Sequence, residues 1–417
     1  MTRIAVIGAG ISGLSCAHML SGSHDVVLFE SETRPGGHSR TIKVPRAAGA
    51  LPVDTGFIVY NEVNYPLLTK LFAALSVPTK PSDMSFGVRY GDGDLEFCGS
   101  SLEGLFAQKK NMVSPRYLRM LADIMRFFRS AKLVLDEPGD PTLAEFIDRL
   151  APGEWFRDRF LIPMGAAIWS TPPRDMLAFP AKTFVLFFQN HGLLSVNGHH
   201  PWRTVDGGSE QYVRRIIESL GSRVRTGHPI GQVRASQSGF EVVTATGETD
   251  RFDEVVLAAH ADASLAMLAD PTPEERRILG QFKFRDNEGV LHTDARLMPN
   301  AKAAWASWVY ASNGGDDGSD VSVTYWMNKL QSLPGEDVFV SLNPDREIDP
   351  SRVIDRHTFR HPVFSREAVA AQCEIPSIQG KRGLWFCGAW QRNGFHEDGL
   401  WSAVRVAEEK KVAIPWA

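Results

Sequence analysis

The chain opens on an apolar run, Ile4-Ala5-Val6-Ile7, which breaks at Gly8 and passes into a helical pattern lasting to about Leu20. A second apolar run, Val26-Val27-Leu28-Phe29, follows and is closed by Glu30. Short apolar runs on either side of a helix predict a strand–helix–strand unit. Leu51 to Tyr60 reads as a further strand, and Tyr65 to Leu75 as a short helix closed by Pro78 and Pro81. From Met84 to Cys98 apolar and polar positions alternate around Gly91-Asp92-Gly93-Asp94, which predicts a hairpin. Between Pro115 and Leu135, the residues Leu118, Leu121, Met125, Phe128 and Leu135 fall at helical spacing.

The linker Glu137–Pro141 precedes another helix that starts at Thr142. A helix over Glu210–Leu220 is then followed by short strands at Arg223–Arg225, Gly231–Ala235 and Phe240–Thr244. Glu254 to Leu257 runs into Ala258-Ala259-His260 and reads as a buried parallel strand, a return to the first unit. The chain then leaves that unit again. It has expected strands at Ala303–Tyr310, Val321–Met327 and Val338–Leu342, and a surface loop at Asn313–Ser319. A last apolar strand, Gly383–Trp390, meets Gly388, and the final helix is expected from Leu400 to Lys411.

At 417 residues, 43% hydrophobic and 23% charged, the chain suits a globular protein of two domains. A net charge of −4 supplies no overall basic field for nucleic acid. Cys16, Cys98, Cys373 and Cys387 form no C-x-x-C pair and are expected to be buried thiols in a reducing compartment. No basic-then-apolar leader pattern precedes the first strand, and no run of 18 apolar residues occurs, so a cytoplasmic location is expected.

The first turn carries the clearest chemistry. Gly8, Gly10 and Gly13 form G-x-G-x-x-G between a strand and a helix, the context of a dinucleotide site. Gly8 allows the tight turn, Gly10 lets a pyrophosphate approach, and Gly13 lets helix and strand pack. The helix N-terminus faces the anion, and Glu30 stands where a carboxylate accepts hydrogen bonds from a ribose.

Two other stretches leave alternatives open. Phe160 to Trp202 is apolar, aromatic and punctuated by proline, as expected of an apolar pocket wall. Its histidines, His191, His199 and His200, have no carboxylate or cysteine at ligand spacing, so no metal is expected. The Pro115–Leu135 helix carries Arg116, Arg119, Arg126, Arg129 and Lys132. It reads either as a solvated basic face or, through Arg116–Lys132, as peripheral contact with an anionic membrane.

Taken together, Val6-Ile-Gly-Ala-Gly-Ile-Ser-Gly-Leu14, Glu30, Arg34-x-Gly36-Gly37, Gly207-Gly208 and the terminal strand–glycine–helix resemble the flavin-containing amine oxidoreductases, with the carotenoid desaturases and protoporphyrinogen oxidases. The chain is also similar to bacterial NAD/FAD-binding proteins and to the N-terminal region of plant cyclopropane fatty acid synthases. That similarity lies in Leu105–Gln108, Phe179–Ala181, Asn190–Leu194 and Gly394–Leu400. The resemblance implies an α/β fold with an α+β substrate domain. A Rossmann-type FAD-binding domain (1–80, 203–270 and 380–417) is interleaved with a substrate domain of mixed sheet and helices (81–202 and 271–379).

It also implies site residues. Gly8, Ala9, Gly10, Ser12 and Gly13 would face the FAD pyrophosphate, and Glu30 the adenosine ribose. Gly36, Gly37, His38 and Ser39 would continue along the phosphates and ribityl chain. Arg40 would stand in for the family's arginine, whose place His38 takes. Thr55, Gly56 and Phe57 would pass the flavin ring, and Val233 would meet adenine through its backbone. Gly388, Gly399 and Leu400 would hold the ribityl chain and pyrimidine end, with Ala389 where many relatives carry an acid.

His396, Glu397 and Asp398 lie beside the expected flavin end. They read either as general acid or base candidates or as helix caps plus a packed histidine. Gly399 occupies the place, four before Ala403, where monoamine oxidases carry an aromatic of the amine cage. With only one G-x-G-x-x-G present, hydride is expected to enter from an organic substrate. The expected function is an FAD-dependent oxidoreductase moving hydride between flavin N5 and an apolar, lipid or fatty-acyl-type substrate, as oxidase, desaturase or isomerase. The alternatives are a flavin-binding partner of a lipid methyltransferase, or an amine oxidase.

Overall fold

The structure is a computed structural model that describes residues 1–47, 49–169, 171–195, 200–312 and 322–416. His199 and the loop expected at Asn313–Ser319 lie outside the described residues. Six helices recur below: α1 (Ile11–Leu20), α2 (Pro66–Ala74), α3 (Pro115–Ser130), α4 (Ala181–Asn190), α5 (Glu210–Leu220) and α6 (His396–Glu409).

Five parallel strands form the first sheet, in the order Val224–Arg225, Asp25–Phe29, Arg3–Ile7, Glu254–Leu257, Leu384–Phe386. Alternate side chains of the first strand enter different cores. Ile4 and Val6 pack with α1, α5 and α6 residues, whereas Ala5 and Ile7 pack with Phe240, Phe252 and Leu279. A strand covered on both faces needs apolar residues at every position, which explains its continuous run. A three-stranded antiparallel sheet, Ile230–Ser236, Gly239–Thr244 and Thr249–Phe252, supplies part of that second face.

The second large sheet has seven strands, in the order Val353–Val363, Lys283–His292, Phe339–Leu342, Ser322–Trp326, Trp308–Ser312, Phe86–Tyr90, Leu95–Cys98. Trp308–Ser312 and Phe86–Tyr90 pair in parallel, and the other neighbours are antiparallel. A small sheet of Tyr60–Asn61, Trp202–Val205 and Thr79–Pro81 straddles the boundaries expected near 80 and 203. Among the described residues no helix is long and apolar enough to cross a membrane.

Several expectations shift. The strand expected at Ala303–Tyr310 begins at Trp308, because Lys302–Ala304 is a 3-10 turn closed by the Ala304 N–H on the Ala301 carbonyl at 2.8 Å. The final helix begins at His396 rather than Leu400, since the Asp398 carboxylate caps the Phe395 N–H at 2.9 Å. Cys373 is exposed, while Cys16, Cys98 and Cys387 are buried. Helix α3 buries Tyr117, Met120, Ile124 and Phe127, not the expected stripe: Leu118 and Met125 are 44% and 39% exposed. The Tyr117 hydroxyl, which donates to the Leu105 carbonyl, and the packing of Phe127 on Phe146, Phe156 and Phe188 set that rotation.

One buried knot joins the two large units. Asp54, with no exposed surface, accepts from the Thr41 hydroxyl (2.6 Å), the Ser209 N–H (2.9 Å) and hydroxyl (2.8 Å), and the Gln331 amide (2.9 Å). Its own N–H donates to the Gln331 side-chain oxygen at 2.9 Å. Burial raises the Asp54 pKa to about 6, against the lowering effect of these hydrogen bonds. Asp54→Ala strands four buried donor groups on three residues and is expected to lower stability by roughly 3 kcal/mol or more. Denaturant unfolding of the holoprotein measures this, and a loss under about 1 kcal/mol would show the knot to be dispensable.

Candidate cofactor and active site

The site forms where backbone turns converge on the N-terminus of α1. A side chain at Gly13 would put its Cβ 1.8 Å from the Gly8 carbonyl oxygen and 3.0 Å from the Ala258 Cβ. A Cβ at Gly37 would come 3.2 Å from the Gly10 Cα, and one at Gly399 would strike Ile11 at 2.7 Å and Ser12 at 2.9 Å. Gly10 differs, because a Cβ there would meet nothing within 4 Å. No side chain caps α1. Its first-turn N–H groups and positive dipole end therefore face that open space, as an anionic diphosphate requires. On these grounds the residues present fit a dinucleotide.

Glu30 closes the far side. Its carboxylate accepts from the Ala9 N–H (2.7 Å) and the Glu32 N–H (3.0 Å) and keeps lone pairs for further donors such as a ribose. The Glu30 backbone carbonyl accepts from the His228 N–H at 2.8 Å, which brings the small sheet of Val233 alongside. The Val233 carbonyl is already taken by the Ala269 N–H at 3.0 Å.

Arg34, absent from the expected contacts, braces the next turn: its guanidinium donates to the Gly37 and Ser39 carbonyls at 3.1 and 3.0 Å. The 38–40 and 55–57 segments are laced together. The Thr55 N–H donates to the Arg40 carbonyl (2.8 Å) and the Phe57 N–H to the His38 carbonyl (2.7 Å), while a Cβ on Gly56 would lie 2.2 Å from that oxygen. Arg40 does not fill the vacancy left by His38, because its guanidinium forms a forked pair with Asp355 (2.5 and 3.1 Å). His38 sits between Phe359 (5.3 Å), His361 (5.4 Å) and His260 (6.5 Å). Burial, then the neighbouring His361, pushes its pKa well below the usual value, so it brings no positive charge.

The three catalytic candidates come together at the start of α6, where each has a structural partner. His396 stacks on Phe57 with ring centroids 3.9 Å apart. Its Nε2 lies 3.0 Å from the Ser39 hydroxyl and 2.9 Å from the Tyr212 hydroxyl, themselves 2.5 Å apart. Burial lowers its pKa to about 3. The Glu397 carboxylate caps α2, accepting from the Leu67 and Leu68 N–H groups at 2.9 Å each. Asp398 caps its own helix at Phe395. Burial raises Glu397 to about 7 and Asp398 to about 6. Each of the three therefore has a capping or packing role, and both Glu397 oxygens accept a backbone N–H.

Against the first two turns of α6, Gly388 donates its N–H to the Ser402 hydroxyl (2.8 Å), which donates to the Gly399 carbonyl (2.7 Å). Leu400 is fully buried in the core. Ala389 opens a 3-10 turn, and the Trp390 indole packs over Gly388.

The Phe160–Trp202 stretch is mostly packed core. Phe184 and Phe188 have no exposed surface and stack at 4.3 Å. One edge of it reaches the cleft: Trp169 contacts Phe187 (4.8 Å), and Phe187 stacks on His191 (3.8 Å) and Phe395 (5.0 Å), next to His396. His191 Nδ1 lies 2.9 Å from the Phe187 carbonyl and His200 Nε2 lies 3.0 Å from the Asn190 carbonyl. Among the described residues no group of three or more His, Cys, Asp or Glu is placed to hold a metal. Tyr212, His260 and His361 were not singled out beforehand. Their only signals were a tyrosine on an amphipathic helix and histidines at the ends of strands.

The family model described as flavin containing amine oxidoreductase matches residues 11–289, well over half the chain. The chain belongs to this family. FAD is accordingly its cofactor. Flavin-containing amine oxidase A of Equus caballus is 26% identical over 305 residues, covering 67% of this chain. The chain spans about half, 54%, of that relative's length. Among solved structures, a CLA-producing fatty acid isomerase from P. acnes superposes with a TM-score of 0.70 at 15% identity, covering 98% of both chains. Cyclohexylamine oxidase from Brevibacterium oxydans gives a TM-score of 0.70 at 15% identity, covering 98% and 99%. At these identities the two share the fold.

Two outcomes follow from this geometry. Gly10→Ala is expected to change stability by under about 0.5 kcal/mol yet lower FAD retention at least tenfold. Gly13→Ala is expected to reduce stability by about 3 kcal/mol. Thermal unfolding and flavin absorbance separate the two, and a Gly10→Ala protein that keeps full flavin would remove the phosphate from this turn. For Glu397, the folded pKa lies above the ordinary 4.5, so its contribution is complete below pH 4.5 and is lost as pH rises through about 7. Wild type should therefore lose stability relative to the non-titrating Glu397→Gln as pH rises across that window. A difference independent of pH would contradict the raised pKa.

Proposed function

We propose that the chain is an FAD-dependent oxidoreductase acting on an apolar, fatty-acyl-type substrate. The bound flavin would supply hydride exchange at N5 with a substrate carbon. The chain's own residues would do the rest. Gly8 to Gly13 and the start of α1 would hold the pyrophosphate, Glu30 the ribose, and Gly36 to Ser39 with Thr55 to Phe57 the ribityl and ring portions. Arg34, Tyr212 and His396 would act as positioning residues, fixing Ser39 and Phe57. Phe395, Phe187 and Trp169 would form an apolar approach that excludes water and carries no fixed charge.

The observation that carries the substrate class is Gly399. No side chain fits there, since its Cβ would strike Ile11 and Ser12. An aromatic wall for an amine has no room at that point. The fatty acid isomerase of like fold supports the same direction, and the family's name and the horse relative favour the second reading, amine oxidation. Neutral histidines near the cleft, with His260 and His361 lowered to about 4 by burial, offer no charge to an amine or a carboxylate.

The test is anaerobic bleaching of the purified flavoprotein. Loss of flavin absorbance with a fatty acid or lipid extract, and not with amines, is expected. Reduction by simple amines instead would favour the second reading. No reduction by any of them, with a methyltransferase co-purifying, would make the chain a partner module.

A further inference from the structure

Helix α3 is apolar on two sides. The inner side, Tyr117, Met120, Ile124 and Phe127, is packed. The outer side carries Leu118, Ala122 and Met125, one above the other at helical spacing, and all three are exposed. The chain continues this stripe at both ends. Met112 and Val113, 58% and 81% exposed, lie in the turn before α3, and Leu133, 65% exposed, lies in the turn after it. Five of the nine large exposed apolar side chains among the described residues thus fall between 112 and 133. Scattered surface apolar residues need no explanation, but a run of them along about 24 Å of one helix does.

The charges on the same surface point to what covers it. Lys109, Arg116, Arg129 and Lys132 are exposed and, among the described residues, form no ion pair. Arg119 and Arg126 share the buried Asp123 at 3.8 and 2.8 Å. The nearby carboxylates are fewer than the cations: Glu103, Asp136, Asp148 and Glu154 are exposed, and Glu137 is paired with Arg149. A second copy seated here would bring like charges together, which disfavours it. We propose that this face docks on an anionic lipid bilayer. The apolar side chains enter the acyl boundary and the free cations meet lipid phosphates. The docked helix then lies over the aromatic layer of Phe127 and Phe188, on the helix, α4, that carries Phe187 toward the cleft. The proposal does not depend on the substrate, since it is read by binding alone.

The experiment is co-sedimentation of the purified flavoprotein with phosphatidylcholine vesicles, with and without about a third phosphatidylglycerol. Binding to the anionic vesicles only, weakened by high salt, is expected. The variant Arg116→Gln/Arg129→Gln/Lys132→Gln should partition about a hundredfold less, at roughly fivefold per cation. The variant Met112→Ser/Val113→Ser/Leu133→Ser should lose the salt-resistant fraction. All six positions are exposed, so flavin absorbance and circular dichroism should stay at wild-type values. Absence of binding to anionic vesicles, or equal binding by the variants, overturns the proposal. So does a dimer in sedimentation velocity that the serine variant abolishes, because the face would then be covered by a second copy.

Discussion

The structure depends on close packing around the first helix turn, where glycines leave no room for a Cβ. Gly13 leaves no room between α1 and the Gly8 carbonyl, Gly37 rests on Gly10, and Gly399 brings the start of α6 against Ile11 and Ser12. Three turns far apart in sequence can meet here because Gly13, Gly37 and Gly399 bring no side chain to the contact. That lack of bulk brings two helix N-termini to one cleft, where a Cβ on Gly10, unlike one on Gly13, Gly37 or Gly399, would open into space. The charge preference of the site follows from this packing and needs no basic side chain. Accordingly Arg34 and Arg40 are turned to carbonyls and to Asp355 instead.

Residues around this constraint are held by buried polar groups of unlike kinds. The Ser39, Tyr212 and His396 cluster is neutral throughout, since burial lowers the imidazole to about 3 and raises the phenol. Glu397 and Asp398 are acids whose burial is offset by backbone N–H groups at two helix starts. Their shifted pKa values come from burial, the same cause that tunes catalytic groups elsewhere. Geometry separates the two cases: every oxygen of Glu397 already has a donor.

Much of this was legible in the sequence. G-x-G-x-x-G flanked by apolar strands, with Glu30 following, specifies a local unit whose contacts lie within a few turns of chain. The Met84–Cys98 hairpin was legible for the same reason. The pairing of Lys283–His292 with Val353–Val363 was not, although these strands have ten and 11 residues. Both are rich in charged and polar residues, many of them exposed or half-buried, so neither reads as a plain apolar strand. Helix α3 misled in a different way. With apolar residues on two faces, periodicity alone cannot say which one is buried. The catalytic reading of His396 to Asp398 failed to gain support because capping is decided by partners such as Leu67, more than 300 residues away.

The order of strands in the first sheet also governs when the molecule can be assembled. The strand Arg3–Ile7 is completed on one side by Glu254–Leu257, and that strand in turn by Leu384–Phe386. The Ala258 that walls Gly13 therefore leaves the ribosome long after the phosphate turn does. Contacts of such separation are slow to form, because loop closure must precede them. The N-terminal unit emerges with its apolar strand uncovered on one side and waits for the rest of the chain. A nascent fragment therefore exposes an unpaired, hydrophobic strand edge, the kind of surface that chaperones recognise. Cofactor capture belongs to the last stage of folding, when the C-terminal helix closes the cleft.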